Sequence, residues 1–114
     1  MKFRLYRAMV LSFFSLFNSL VTIRNWTSSN TVGITPSPDG SSEELKPSEW
    51  MEFTCARNGR SGFFTMANRD DDSTVTIVLY DGQIVALVDN RNESIDGLLI
   101  YDSGHRIRTL FINL

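Results

Sequence analysis

Thr74-Val75-Thr76-Ile77-Val78-Leu79-Tyr80-Asp81-Gly82-Gln83-Ile84-Val85-Ala86-Leu87-Val88 carries the strongest structural signal in the chain. Val75, Ile77 and Leu79 alternate with Thr74, Thr76 and Val78, the period of a strand with one face on a core, and branched side chains suit a pleated surface. Asp81-Gly82 supplies the positive φ of a tight turn, so the stretch predicts a hairpin of strands 74–80 and 83–88.

The same rhythm extends in both directions. Upstream, Trp50 to Arg57 alternates with Met51, Phe53 and Cys55 on one face, and Asn58-Gly59 is a second hairpin pair leading into a strand of about 62–67 with Phe63, Phe64 and Met66. Downstream, a polar loop from Asp89 to Asp96 leads through Gly97 to Leu98-Leu99-Ile100-Tyr101, and Ser103-Gly104 turns the chain into a last strand, His105 to Ile112. There Ile107, Thr109 and Phe111 are expected opposite Arg106, Arg108 and Leu110. The result is an all-β prediction, a small antiparallel barrel or sandwich of about six strands over residues 50–114. So small a domain is marginal alone, which favours closure or pairing with another subunit.

Two segments precede it. Residues 25–49 crowd Thr27, Ser28, Ser29, Pro36, Ser37, Pro38, Gly40, Ser41, Ser42, Pro47 and Ser48 around only Trp26, Val32, Ile34 and Leu45 as large apolar residues. That composition predicts a flexible, disordered linker, because little buried area offsets the entropy of ordering it. In residues 1–24, Lys2, Arg4 and Arg7 precede an uncharged run from Ala8 to Ile23, closed by Arg24, the pattern of a hydrophobic export helix. The run is short for a membrane span and is diluted by Ser12, Ser15, Asn18, Ser19 and Thr22, so a cleaved signal is favoured over an anchor through 8–23. Phe17 before Ser19 and Leu20 before Thr22 are poor cleavage pairs, which leaves open an uncleaved signal-anchor or a buried helix. The expected location is secreted or periplasmic, with membrane anchoring as the alternative.

Loss of Lys2, Arg4, Arg7 and Arg24 with a signal leaves seven basic against thirteen acidic residues, a formal −6. That balance argues against nucleic acid and favours a basic protein partner, although solubility is served by the same charge. Cys55 is the only cysteine, so an intramolecular disulfide and a zinc cluster are excluded; it is expected either as a small buried hydrophobe or as an intermolecular thiol linking a homodimer.

No constellation predicts catalysis, a cofactor or a metal site. Asp70-Asp71-Asp72 lacks the alternation of a calcium loop and reads as a solvated turn. Asp102-Ser103-Gly104-His105 has triad residue types without triad spacing, and a Cys55–His105 dyad has a thiol on an apolar strand face. Asn25-Trp26-Thr27 and Asn92-Glu93-Ser94 are glycosylation sequons, marking Asn25 and Asn92 as candidate acceptors on a secretory route. Trp50, Phe63, Phe64, Tyr80, Tyr101 and Phe111 serve either a core or an aromatic recognition surface.

Residues 53–112 resemble the small β-barrel lysozyme inhibitors of the periplasmic, membrane-bound c-type class. The resemblance lies in Phe53-Thr54-Cys55, in Val75 to Leu87 around Asp81-Gly82, and in Asp96-Gly97-Leu98-Leu99-Ile100-Tyr101. The family's Ser-x-Ser-Gly-x-x-Tyr inhibitory loop is replaced by Asp89 to Ile95, so the resemblance implies a small barrel and assigns no inhibitory residue. The chain is thus expected to be a non-enzymatic, exported β-domain that binds a protein, as a secreted accessory or virulence factor. An inhibitor of a basic enzyme and a self-associating, membrane-anchored subunit are the alternatives.

Overall fold

The computed structural model describes residues 20–37, 40–55, 61–90, 94–102 and 105–114, the side chains of 105–107 excepted. The strands are β1 (Leu20–Asn25), β2 (Val32–Ser37), β3 (Glu43–Leu45), β4 (Trp50–Thr54), β5 (Ser61–Asn68), β6 (Thr74–Tyr80), β7 (Gln83–Asp89), β8 (Ile95–Asp102) and β9 (His105–Phe111). They form a five-stranded sheet in the order β4-β1-β7-β8-β9 and a four-stranded sheet in the order β3-β2-β5-β6. Every pairing is antiparallel except β1 with β7.

Alternation drives the two sheets together. Val21 and Ile23, Phe53, Val85 and Leu87, and Leu98 and Ile100 face inward from the five-stranded sheet. They meet Val32, Ile34, Leu45, Phe64, Met66 and Leu79 of the other. Phe53 and Phe64 touch edge to face across the core with centroids 5.9 Å apart, an arrangement favoured by the ring quadrupoles. Full burial of each aliphatic side chain contributes roughly 1.5–3 kcal/mol, so this shared layer dominates the stability.

The all-β prediction holds, but the architecture departs from it in several ways. Both sheets are open, so of the expected barrel or sandwich no closed barrel is formed; the six strands expected over 50–114 are present as β4–β9, and three more, β1–β3, precede them among the described residues. β6 has the expected bounds and β7 runs one residue further, to Asp89, yet they do not pair: β6 bonds to β5 in one sheet, β7 to β1 and β8 in the other. Asp81-Gly82 is therefore a corner between sheets. Gly82, at φ 82°, donates its N–H to the Leu20 carbonyl at 2.9 Å, because β1 occupies the flank of β7 that β6 was expected to take. Asn58-Gly59 lies outside the described residues, and the strands on either side of it belong to different sheets, which corrects the expected pairing of 50–57 with 62–67.

Residues 25–49, read as a linker, contain β2 and β3, with Val32, Ile34 and Leu45 fully buried. Residues 20–24, read as the end of an export segment, form most of β1, which is hydrogen-bonded on both sides. The helix expected before it falls outside the described residues. In β9 the facing is reversed: Leu110 and Ile112 pack on the core and Phe111 points outward. The register steps from Tyr101↔Arg106 to Ile100↔Arg108, and the extra residue inverts the alternation beyond it.

The polar turn after β1 is tied to the end of β7. Ser28 donates from its N–H and its hydroxyl to the Asp89 carboxylate, at 2.8 and 2.5 Å, and these bonds hold Asp89 below the usual aspartate range. A depressed folded pKa gives stability that is complete above the unfolded value of about 3.9 and is lost as pH falls through the lowered folded value. Urea unfolding of the wild type and Asp89→Asn is expected to show a stability difference at neutral pH that shrinks as pH falls below the unfolded value of about 3.9. A difference that persists in acid refutes the assignment.

Candidate functional site: the outer face of the five-stranded sheet

The strands of the five-stranded sheet have a second face, made by the residues that alternate with the core set. On β7 these are Ile84, Ala86 and Val88, and on β8 Gly97, Leu99 and Tyr101, paired in register as Ile84↔Tyr101, Ala86↔Leu99 and Val88↔Gly97. A Cβ built on Gly97 would meet Val88 Cγ2 at 3.0 Å, which places both on this side. Ile84-Val85-Ala86-Leu87-Val88 is thus apolar toward the core and toward the outside, a pattern usual for strands covered on both faces. Ala86 is fully buried although it lies apart from the core cluster.

Aromatic side chains rim this strip. Trp26 follows β1, donates its N–H to the Leu87 carbonyl at 2.9 Å, and meets Tyr101 edge to face with centroids 6.4 Å apart. It remains 48% exposed. Trp50 on β4 stands opposite Arg24 of β1 and is 40% exposed, while Phe111 on β9, opposite Gly97, is 88% exposed. Arg24 neighbours Trp50 on one side and Ala86 on the other, and its Nε is buried with no hydrogen-bond partner. Burial of such a donor without an acceptor costs on the order of 1–3 kcal/mol, a cost that an acceptor on a docked partner removes. The face therefore combines half-buried aliphatic side chains, exposed indoles and a buried donor without an acceptor, residue types found at interface cores.

The residues singled out from the sequence fall elsewhere, with three exceptions. Trp50, Tyr101 and Phe111 belong to this face; Phe64 is core; Phe63 and Tyr80 are exposed on the other sheet. Cys55 is packed in the core, and burial first, then the charge of Asp81, pushes its thiol upward, so it is a buried hydrophobe and not the accessible thiol of a linked dimer. Asn25 is fully buried, with its amide donating to the carbonyls of Asn30 and Leu45, which removes it as an accessible glycan acceptor in the folded chain. Asn92 and Ser103-Gly104 lie outside the described residues, as does the His105 side chain. Asp102 is exposed at the end of β8, and Asp70-Asp71-Asp72 is an exposed turn in which Asp71 accepts from the N–H and hydroxyl of Ser73. Among the described residues no group of three or more His, Cys, Asp or Glu is placed to hold a metal ion.

Trp26, Arg24, Ile84, Val88 and Leu99 were missed. The two-sided apolar run in β7 was the available signal for the last group. No family model, no curated protein and no solved structure matches the chain.

Proposed function

We propose that the chain is an exported, non-enzymatic β-domain that binds a protein partner through the outer face of its five-stranded sheet. The observation that supports this most is the apolar, aromatic-rimmed strip on β7 and β8, whose pattern is that of strands covered on both sides while Trp26, Trp50 and Phe111 remain exposed. Tryptophan and arginine are the residue types that dominate interface energetics. The partner surface is apolar at its centre and offers a backbone carbonyl or a carboxylate to Arg24.

Export rests on Lys2, Arg4 and Arg7 ahead of the apolar run that begins at Ala8. Because β1 begins at Leu20, the exported domain keeps Arg24, leaving eight basic against thirteen acidic residues, a formal −5.

Comparative capture tests the reading. The wild type and a Trp50→Ser/Leu99→Ser variant, matched for melting temperature, are used as baits in fluid from the native host. One or a few proteins are expected on the wild type and depleted at least about tenfold on the variant, as hot-spot truncations of this kind produce. Equal recovery on both baits overturns the site.

A further inference from the structure

Four strands among the described residues stand at sheet edges: β4 and β9 of one sheet, β3 and β6 of the other. Open edges template unwanted pairing, and natural sheets blunt them with short length, charge, proline or bulges. β3 has three residues and carries Glu43 and Glu44; β4 has five and carries Glu52. β9 carries Arg106 and Arg108 beside a bulge. β6 has none of these devices: its seven residues, Thr-Val-Thr-Ile-Val-Leu-Tyr, are uncharged, and its ladder with β5 runs without a register shift.

Hydrogen-bond parity shows what that edge offers. Asn68 N–H donates to the Ser73 carbonyl at 2.9 Å, one step beyond the Ala67↔Thr74 pair. Bonds in an antiparallel ladder link alternate pairs, so Val75, Ile77 and Leu79 exchange bonds with Met66, Phe64 and Gly62. Thr74, Thr76 and Val78 therefore turn their N–H and C=O groups away from β5, where no strand pairs with them among the described residues. The Tyr80 N–H, on the same side, is taken by Gln83 Oε1 at 2.9 Å, which closes the end of the open stretch. Val75 and Ile77 pack on the core yet stay half-buried, because their outer flank is uncovered.

Charge selects the occupant. Asp70, Asp71 and Asp72 precede the strand and Asp81 follows it, all exposed. Antiparallel pairing of two copies about Ile77 would bring the acidic turn of each against Asp81 of the other, a like-charge contact at both ends. A neutral strand bracketed by cations meets attraction at both ends instead. We infer that the open edge of β6 receives an extended, uncharged segment of a partner protein flanked on both sides by Lys or Arg, which adds as a fifth strand to the four-stranded sheet. This site is independent of the aromatic face, which belongs to the other sheet.

Two synthetic peptides test it, sharing a seven-residue Thr/Val/Ile centre matched to β6 and ending in Lys-Lys or Glu-Glu on both sides. Each is titrated into the full chain while amide exchange is followed residue by residue. The Lys-ended peptide is expected to bind at least about tenfold more tightly, and to slow exchange at Thr76 and Val78 while leaving Ile77 and Leu79 as they were. Thr76→Pro removes one outward N–H without touching a backbone bond to β5, giving up only the exposed hydroxyl contact with Thr65 at 2.9 Å, and is expected to abolish binding with little change in melting. If that variant fails to fold, Asp70→Asn/Asp71→Asn/Asp81→Asn serves, and the preference for the Lys-ended peptide is expected to disappear. Trp50→Ser is expected to leave peptide binding intact. Failure of both peptides to bind, equal binding of the two, or protection at β4 or β9 overturns the proposal. So does a dimer abolished by Thr76→Pro, which makes a second copy the occupant.

Discussion

A chain that begins at Leu20 is expected to fold, and one that begins at Asn25 is not. β1 lies between β4 and β7, and β4 has no other partner strand, so deletion of residues 1–24 removes one strand and strands another. Val21 and Ile23 are fully buried, and their loss alone forfeits about 3–6 kcal/mol of apolar burial. The open ladders of β4 and β7 add to that, against a total stability of about 5–15 kcal/mol for a domain. Circular dichroism and thermal melts of the full chain and the two truncations measure this directly: a cooperative transition is expected for the full chain and the Leu20 start, none for the Asn25 start. A cooperative melt for the shorter chain would show that β1 is dispensable. On the export reading proposed above, a cut that leaves a working domain falls at or before the Ser19–Leu20 bond. The mature N-terminus, read by intact mass on protein from the native host, is expected there or upstream.

The errors made from the sequence are linked through that strand. Leu20-Val21-Thr22-Ile23 extends an apolar run whose charged start resembles an export segment, so its strand alternation was absorbed into a helix reading. With β1 removed from consideration, the flank of β7 away from β8 had no candidate except β6, and Asp81-Gly82 supplied a turn that fitted. Strand bounds were legible because alternation is a local property: Thr74–Tyr80 was read to the residue. Pairing was not, because a parallel contact between strands about 60 residues apart leaves no local mark.

Residues 25–49 misled for a different reason. Composition measures how much apolar area a segment brings, and Val32, Ile34 and Leu45 bring little; it does not register polar groups that satisfy one another. Arg69 fastens this region as well, donating to Ser42 Oγ at 2.9 Å and lying where a Cβ on Gly33 would run into its guanidinium. The aromatic face was half legible. Trp50, Tyr101 and Phe111 were visible as candidates, but assigning them to one surface needed the sheet order and the bulge that inverts β9. The two-sided apolar pattern of Ile84–Val88 could have been read as a covered strand, but expectation of a hairpin with one wet face hid it.

Asn25→Asp is expected to cost about 3–5 kcal/mol, the largest effect of any single polar substitution considered, and Asn25→Ala somewhat less. The Asn25 side chain closes the turn between the two sheets with its whole hydrogen-bonding capacity. Nδ2 donates to the carbonyls of Asn30 and Leu45 at 2.8 and 2.9 Å, and Oδ1 accepts from the Thr27 N–H and hydroxyl at 3.0 and 2.6 Å. Its backbone joins the same junction, donating to the Glu49 carbonyl and accepting from Ser48. Aspartate keeps the shape but sets a carboxylate oxygen against two carbonyls in a fully buried site, so its folded pKa rises above the unfolded value of about 3.9. A raised carboxylate makes the variant least stable at high pH, and its deficit narrows as pH falls through the raised folded pKa toward about 4. The deficit of Asn25→Ala has no such dependence, so urea titrations of both variants across pH separate lost hydrogen bonds from a buried charge. The same site decides the sequon. Nδ2 is the atom a glycosyltransferase must use, and in the folded chain it is committed to two carbonyls, so a glycan attached during synthesis excludes the native turn. Folded protein secreted from a eukaryotic host is therefore expected to carry no glycan at Asn25, and a folded, glycosylated Asn25 found by intact mass would refute the role assigned to this side chain.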